Sequence, residues 1–203
     1  MKFPYEALDV SDKSFFTPYS PPAEALQKAA EIILLSIGEN VKREGLERTP
    51  KRFAKAYAEI CSGYQYTAQD AVGEGVFQGE GGLVSVRDID FFSLCEHHML
   101  PFWGKISVAY LPQDKILGLS KIPRLTEVFS KRLQVQERLT KDIATGINEV
   151  IAPRAVAVRI VGSHMCMMMR GVKKSGSETV TEFSVGLDKI SQQETDRLWK
   201  SIE

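Results

Sequence analysis

Ser93-Leu94-Cys95-Glu96-His97-His98-Met99-Leu100-Pro101-Phe102 decides how this chain is read, because alternating segments flank it on both sides. Leu83 to Phe92 is β-branched and alternating enough to be a strand. Phe102 to Leu111 sets Phe102, Gly104, Ile106, Val108 and Tyr110 against Trp103, Lys105, Ser107, Ala109 and Leu111. The spacing predicts two antiparallel strands joined by the quoted turn, with one face of the second strand on helices and the other on a neighbouring subunit. The turn is also dense in metal-binding groups. Of three histidines and three cysteines in the chain, two histidines and one cysteine fall inside it.

The third histidine, His164, precedes Cys166 by two residues. An alternating strand from Ala155 to Gly162, continued through both, puts their side chains on one face. A catalytic zinc site takes three protein ligands and leaves a position for water, and two cysteines with one histidine form a known set. Cys95, Cys166 and one of His97 or His98 would supply it. Adjacent histidines point apart, so one can bind metal while the other faces substrate; spacing does not say which. Glu96 reads as a solvated carboxylate, and Cys61, on an apolar helical stripe, as a small core residue.

Working outward, residues 1 to about 21 read as an extended arm. Leu26, Ala29, Ala30, Ile33 and Ile37 then recur at helical spacing up to Gly38. A second helix opens at Thr49-Pro50, carries Phe53, Tyr57 and Ile60 on one stripe, and ends at Gly63. Residues 64 to 82, rich in glycine and acids, read as a connecting loop. A third helix opens at Ser120, and Leu139, Ile143, Ile147 and Val150 mark a fourth that stops before Pro153. A last strand spans about Glu178 to Val185, and Ser191-Gln192-Gln193-Glu194 is a capping box before a terminal helix. This order describes an α+β domain, 63–203, with a four-stranded antiparallel sheet and helices on one face, behind an N-terminal arm and helical extension, 1–62. The open sheet edges predict a homo-oligomer.

Composition bounds the partners. The chain has 203 residues, 26 basic and 26 acidic, 43% hydrophobic. Balanced charge gives no reason to expect nucleic acid or an acidic membrane as partner. The N-terminus has no secretory pattern and no apolar run approaches a membrane span; three cysteines cannot all pair internally, which points to a reducing cytoplasm, where cysteine near histidine reads as metal binding.

A second group of candidates lies in Gly118-Leu119-Ser120-Lys121-Ile122-Pro123-Arg124. Lys121 and Arg124, with Ser120 and the free N–H groups of a helix start, form an anion cradle, and positive charge there is unfavourable to the helix dipole. Arg170 can add to it. Arg52 and Lys55 make a basic pair on the second helix. Glu137 offers two acceptor oxygens, the complement of the N1–H and N2 donors of guanine.

In these motifs the chain resembles the GTP cyclohydrolase I family, the zinc enzymes that open pteridine biosynthesis. The resemblance covers roughly Glu44 to Gly176, through Thr49-Pro50-Lys51-Arg52, Ser93 to His98, Gly118-Leu119-Ser120-Lys121, Gln134-Val135-Gln136-Glu137-Arg138-Leu139-Thr140 and His164-Met165-Cys166. It implies a tunnelling fold whose sheets join between subunits into a barrel, assembled as a homodecamer of two pentamers. It assigns one zinc per subunit to Cys95, His98 and Cys166, and leaves His97 and His164 for proton transfer with Ser120 near the ribose. It places triphosphate on Arg52, Lys55, Lys121, Arg124 and Arg170, guanine on Gln136 and Glu137, and Leu119 among the substrate contacts. The implied reaction is GTP plus water to dihydroneopterin triphosphate and formate. A non-catalytic purine-nucleotide-binding or regulatory member is the alternative, against which the intact His97 and His164 argue. A zinc nucleobase deaminase would need a Pro-Cys-x-x-Cys motif that the chain lacks.

Overall fold

The sequence places its long apolar alternations between residues 83 and 111 and again after residue 155, and these become the central strands. The structure, a computed structural model, describes residues 23–79 and 81–203. The expected arm lies outside the described residues. The described residues divide into two compact units, with the boundary between Glu59 and Ile60.

In the first unit, α1 spans Ala23–Ser36 and α2 begins at Thr49, running to Ile60 at the unit boundary. Phe53 and Tyr57, one turn apart on α2, stack with ring centroids 4.2 Å apart. Arg52 and Lys55 are exposed on the same helix.

The second unit is built on β2 (Val84–Cys95), β3 (Pro101–Leu111), β6 (Ala155–His164) and β7 (Thr179–Val185), adjacent in that order and antiparallel throughout. A fifth, two-residue strand, β5 (Leu133–Gln134), pairs in parallel with the end of β2. The sheet therefore has one strand more than expected. The β2–β3 register shifts between Val86 and Ile89, a bulge where Asp88 adopts a left-handed φ of 57°.

Period-two burial explains the core. Phe102, Ile106, Val108 and Tyr110 of β3 share one face with Val156, Val158 and Ile160 of β6. Against that face pack α4 (Lys121–Ser130), through Ile122 and Leu125, and α5 (Gln136–Ile151), through Leu139, Ile143 and Ile147. Each such fully buried aliphatic contributes about 1.5–3 kcal/mol relative to exposure. At Gly146 the helices touch closely: a Cβ there would lie 2.7 Å from the Phe129 ring.

Helices do not all lie on one face. The alternate residues Ala109, Leu111, Ala155 and Ala157 cluster with Leu198 and Ile202, so α7 (Gln192–Lys200) and the residues just after it cover the opposite face. The small side chains at 109, 155 and 157 leave room for them. Arg154 fastens α7 with an ion pair of 2.8 Å to Glu194, whose carboxylate completes the Ser191 capping box. The face expected to meet a neighbouring subunit is thus covered in part by this chain.

Two expectations about local structure change. Residues 64–82 are not only loop: Thr67 and Asp70 form a capping box that starts α3 (Ala68–Val72), and β1 (Val76–Gln78) pairs with β4 (Lys115–Leu117). The Tyr110 hydroxyl accepts a hydrogen bond from Leu117 N–H at 3.0 Å and ties β4 to the buried face. The strand expected to carry both His164 and Cys166 ends at His164, and Met165–Met168 forms one helical turn, α6. Methionine is unbranched at Cβ and favours helix, unlike the β-branched residues of β6.

Candidate metal centre

Strand pairing brings several of the candidate residues to one end of the sheet. Phe102 faces Ser93 on one side and His164 on the other, while Cys95, at the end of β2, pairs with Gln134 two residues before α5. The turn from Cys95 to Leu100 is closed by Cys95 N–H donating to the Leu100 carbonyl and Met99 N–H to the Cys95 carbonyl, both at 2.8 Å. Met99 takes a left-handed φ of 53° to allow it. Cys95 is buried, whereas His97 and His98 are exposed.

The ligand atoms of Cys95, His98 and Cys166 all lie within 4.8 Å of one another. Cys166 arrives through the helical turn of α6 rather than by strand alternation. Zn–S bonds are about 2.3 Å and Zn–N bonds about 2.0–2.1 Å, so tetrahedral zinc holds its ligands roughly 3.3–3.8 Å apart. Small side-chain rotations would close this set on one ion. The donors also fit chemically. Burial, and then the neighbouring Cys95, push the Cys166 thiol above its ordinary value, with Arg170 pulling the other way. Two adjacent thiolates without a cation are costly, and a divalent cation removes that cost.

His97 stays outside the triplet, although its Nδ1 is 3.8 Å from Cys95 Sγ. The rings of His97 and His98 are 6.3 Å apart and nearly perpendicular, at 77°.

Glu96 is not simply solvated. It forms an ion pair with Arg138 on α5, and Arg138 also donates to Gln134 Oε1 at 2.8 Å and the Leu133 carbonyl at 3.1 Å. The hydrogen bond from Arg138 holds the Glu96 carboxyl below the usual range. Glu96 N–H donates to the Gln134 carbonyl at 3.0 Å, so backbone and side chain together anchor the ligand turn to α5. Arg138 stood in a quoted motif without a role, and its signal was only its place beside Gln136 and Glu137.

His164 is half-buried and its ring stacks on Phe102, with centroids 4.7 Å apart and 5° between planes. Burial pushes its imidazole below the ordinary value, opposed by the charge of Glu137. Its Nε2 lies 2.8 Å from Gln136 Oε1. Gln136 is buried, and its amide nitrogen donates to the carbonyls of Thr179 (2.8 Å) and Ile160 (3.2 Å) and to Thr181 Oγ1 (3.1 Å). Its amide is therefore committed inside the protein, while Glu137 is exposed on the first turn of α5. Sequence spacing gave no hint of Thr181, 45 residues away.

The remaining candidates sit on the second unit's surface. Leu119, Ser120, Arg124 and Arg170 are exposed, and Lys121 is half-buried with its alkyl chain against Gly75. Ser120 occupies the N-cap position of α4 but makes no side-chain cap bond. Arg52 and Lys55 belong to the first unit. Cys61, half-buried rather than in the core, and the other two cysteines are free thiols.

Comparison with known proteins places the chain in a family. The family profile described as GTP cyclohydrolase I matches residues 26–203. The chain belongs to the GTP cyclohydrolase I family. A relative from Deinococcus radiodurans, named GTP cyclohydrolase 1, is 54% identical over 155 residues, covering 76% of this chain and 72% of the relative. A relative of the same name from Gloeobacter violaceus is 50% identical over 170 residues, covering 83% and 79%. Another, from Leptospira biflexa, is 50% identical over 165 residues, covering 81% and 90%. The triplet Cys95, His98, Cys166 thus lies in the part of the chain that carries the family match.

Proposed function

We propose that this chain, loaded with zinc at Cys95, His98 and Cys166, converts GTP and water to dihydroneopterin triphosphate and formate, the first step of pteridine biosynthesis. The hydrolytic activity on GTP follows from the family to which the chain belongs. The observation that carries the metal assignment is the convergence of two thiols and an imidazole within 4.8 Å. Zinc in such a set supplies a Lewis acid and lowers the pKa of a coordinated water to about 7.

The chain's own residues do the rest. Glu137, exposed at the start of α5, accepts from the N1–H and N2 donors of guanine. His97, beside but outside the triplet, delivers a proton to the ring nitrogen next to the carbon that leaves as formate. His164 moves protons during the later sugar rearrangement, and the uncommitted Ser120 hydroxyl serves the ribose. Lys121, Arg124 and Arg170 hold the triphosphate. Arg52 and Lys55 would join them from a neighbouring copy, as in a decamer of two pentamers with sites between subunits. The exposed Phe92, at 69%, and Val180, at 49%, on the sheet support such association. The free cysteines suit a cytoplasmic enzyme, and no helix among the described residues is long and apolar enough to cross a membrane.

Incubation of the zinc-loaded protein with GTP tests this. Formate should appear together with a pterin that fluoresces after oxidation. Ammonia without formate, or bound GTP left unchanged, would sink the proposal.

A further inference from the structure

We infer that Gln136 is a positioning residue that holds neutral His164 as the Nε2–H tautomer, leaving Nδ1 as the nitrogen that accepts a proton during turnover. The inference rests on the reading of His164 as a proton-transfer residue, and it follows from counting hydrogens.

Thr140 Oγ1 donates its only hydrogen to the backbone carbonyl of Gln136 at 2.7 Å. In the 2.7 Å bond between Thr140 and Thr181, the donor must therefore be Thr181. With its hydrogen committed, Thr181 Oγ1 can only accept from Gln136, at 3.1 Å. The carbonyls of Thr179 and Ile160, facing the same end of the amide, can also only accept. Three acceptors fix the amide nitrogen on that side, and Oε1 is turned to His164. An amide oxygen cannot donate, so His164 Nε2 must carry the hydrogen in the 2.8 Å bond.

Two further contacts keep this arrangement single. The Phe102 ring lies flat on the imidazole and resists its rotation. Gly162 supplies the space for the amide, since a Cβ at that position would overlap Gln136 Oε1. The glycine is thus required by the side chain that faces it rather than by its own backbone angles.

The test uses the zinc-loaded protein labelled with 15N-histidine. Only three imidazoles contribute, and His164→Asn identifies the signal of interest. At about pH 8, where an ordinary imidazole is neutral, two-bond 1H–15N spectra should show His164 protonated at Nε2 and bare at Nδ1. Gln136→Leu removes the acceptor, and Gly162→Ala displaces it from the other side. Either should give a mixture of tautomers and lower kcat roughly 10-fold or more, with KM for GTP changed less than about twofold. Thr181→Val leaves both carbonyls in place and should keep the Nε2–H form. An Nδ1–H signal in the unsubstituted protein overturns the inference, whether or not the variants fold. So does a tautomer unmoved in both variants, even if turnover falls. A tautomer that shifts while kcat stays constant instead overturns the proton-transfer reading of His164, and with it the catalytic half of the inference.

Discussion

Two constellations share one end of the sheet and are held together by different means. Around His164, the side chains of Gln136, Thr140 and Thr181 close a hydrogen-bonded network, and a phenyl ring covers the imidazole. Around Cys95, His98 and Cys166, order comes from a tight backbone turn, one helical turn and the Glu96–Arg138 side-chain tether outside the donors. The protein preorganises the His164 imidazole by itself, whereas the thiols and imidazole of the other corner form a group that could hold a cation. The difference gives each region its own vulnerability.

The largest effect should come from the corner proposed to hold the ion. Cys166→Ser is expected to abolish zinc binding and to reduce turnover beyond the roughly 100-fold that loss of an outer partner of a metal ligand can cost, as read by metal content and formate release. Retained zinc at full stoichiometry would break the contrast. His164→Ala, by comparison, should lower kcat at least about 100-fold while the protein keeps its metal. Simultaneous loss of metal would show that the two constellations are one unit.

How legible these regions were follows the same division. The hairpin strands, both helices over the buried face and the terminal capping box could be read because period two, period 3.6 and local caps are written in neighbouring residues. The cluster of candidate ligands could be seen because thiols and imidazoles are scarce in this chain and concentrated in two motifs, but the choice of His98 over His97 came only from the family resemblance. Their geometry could not be read. Cys166 reaches the corner through a helical turn that two-residue spacing concealed, and α7 covers a face that alternation showed to be apolar but not by what. The network on Gln136 depends on β6 and β7 lying beside α5, so nothing near residue 136 announces Thr181. The ion pair of Glu96 spans 42 residues for the same reason.

Smaller effects sharpen the comparison. Glu96→Ala unties the ligand turn from α5 and should weaken zinc affinity roughly tenfold in a competition titration with a chromogenic chelator, with turnover preserved at saturating metal. Unchanged affinity would mean that the backbone turn alone sets the corner. At the lower limit, Lys105 pairs with Asp90 at 2.7 Å on the exposed surface of the hairpin. Exposed pairs of this kind contribute little, so Lys105→Ala should leave Tm, metal content and turnover unchanged. A shift in zinc affinity there would extend the tether far beyond the turn.

The most direct test of the central claim is a stepwise titration of one preparation with a strong chelator, followed by zinc, with zinc per chain and formate produced from GTP measured at each point. Formate production should fall in proportion to zinc, from one ion per chain to none, and return with it. Full formate production from protein stripped of metal would contradict the account.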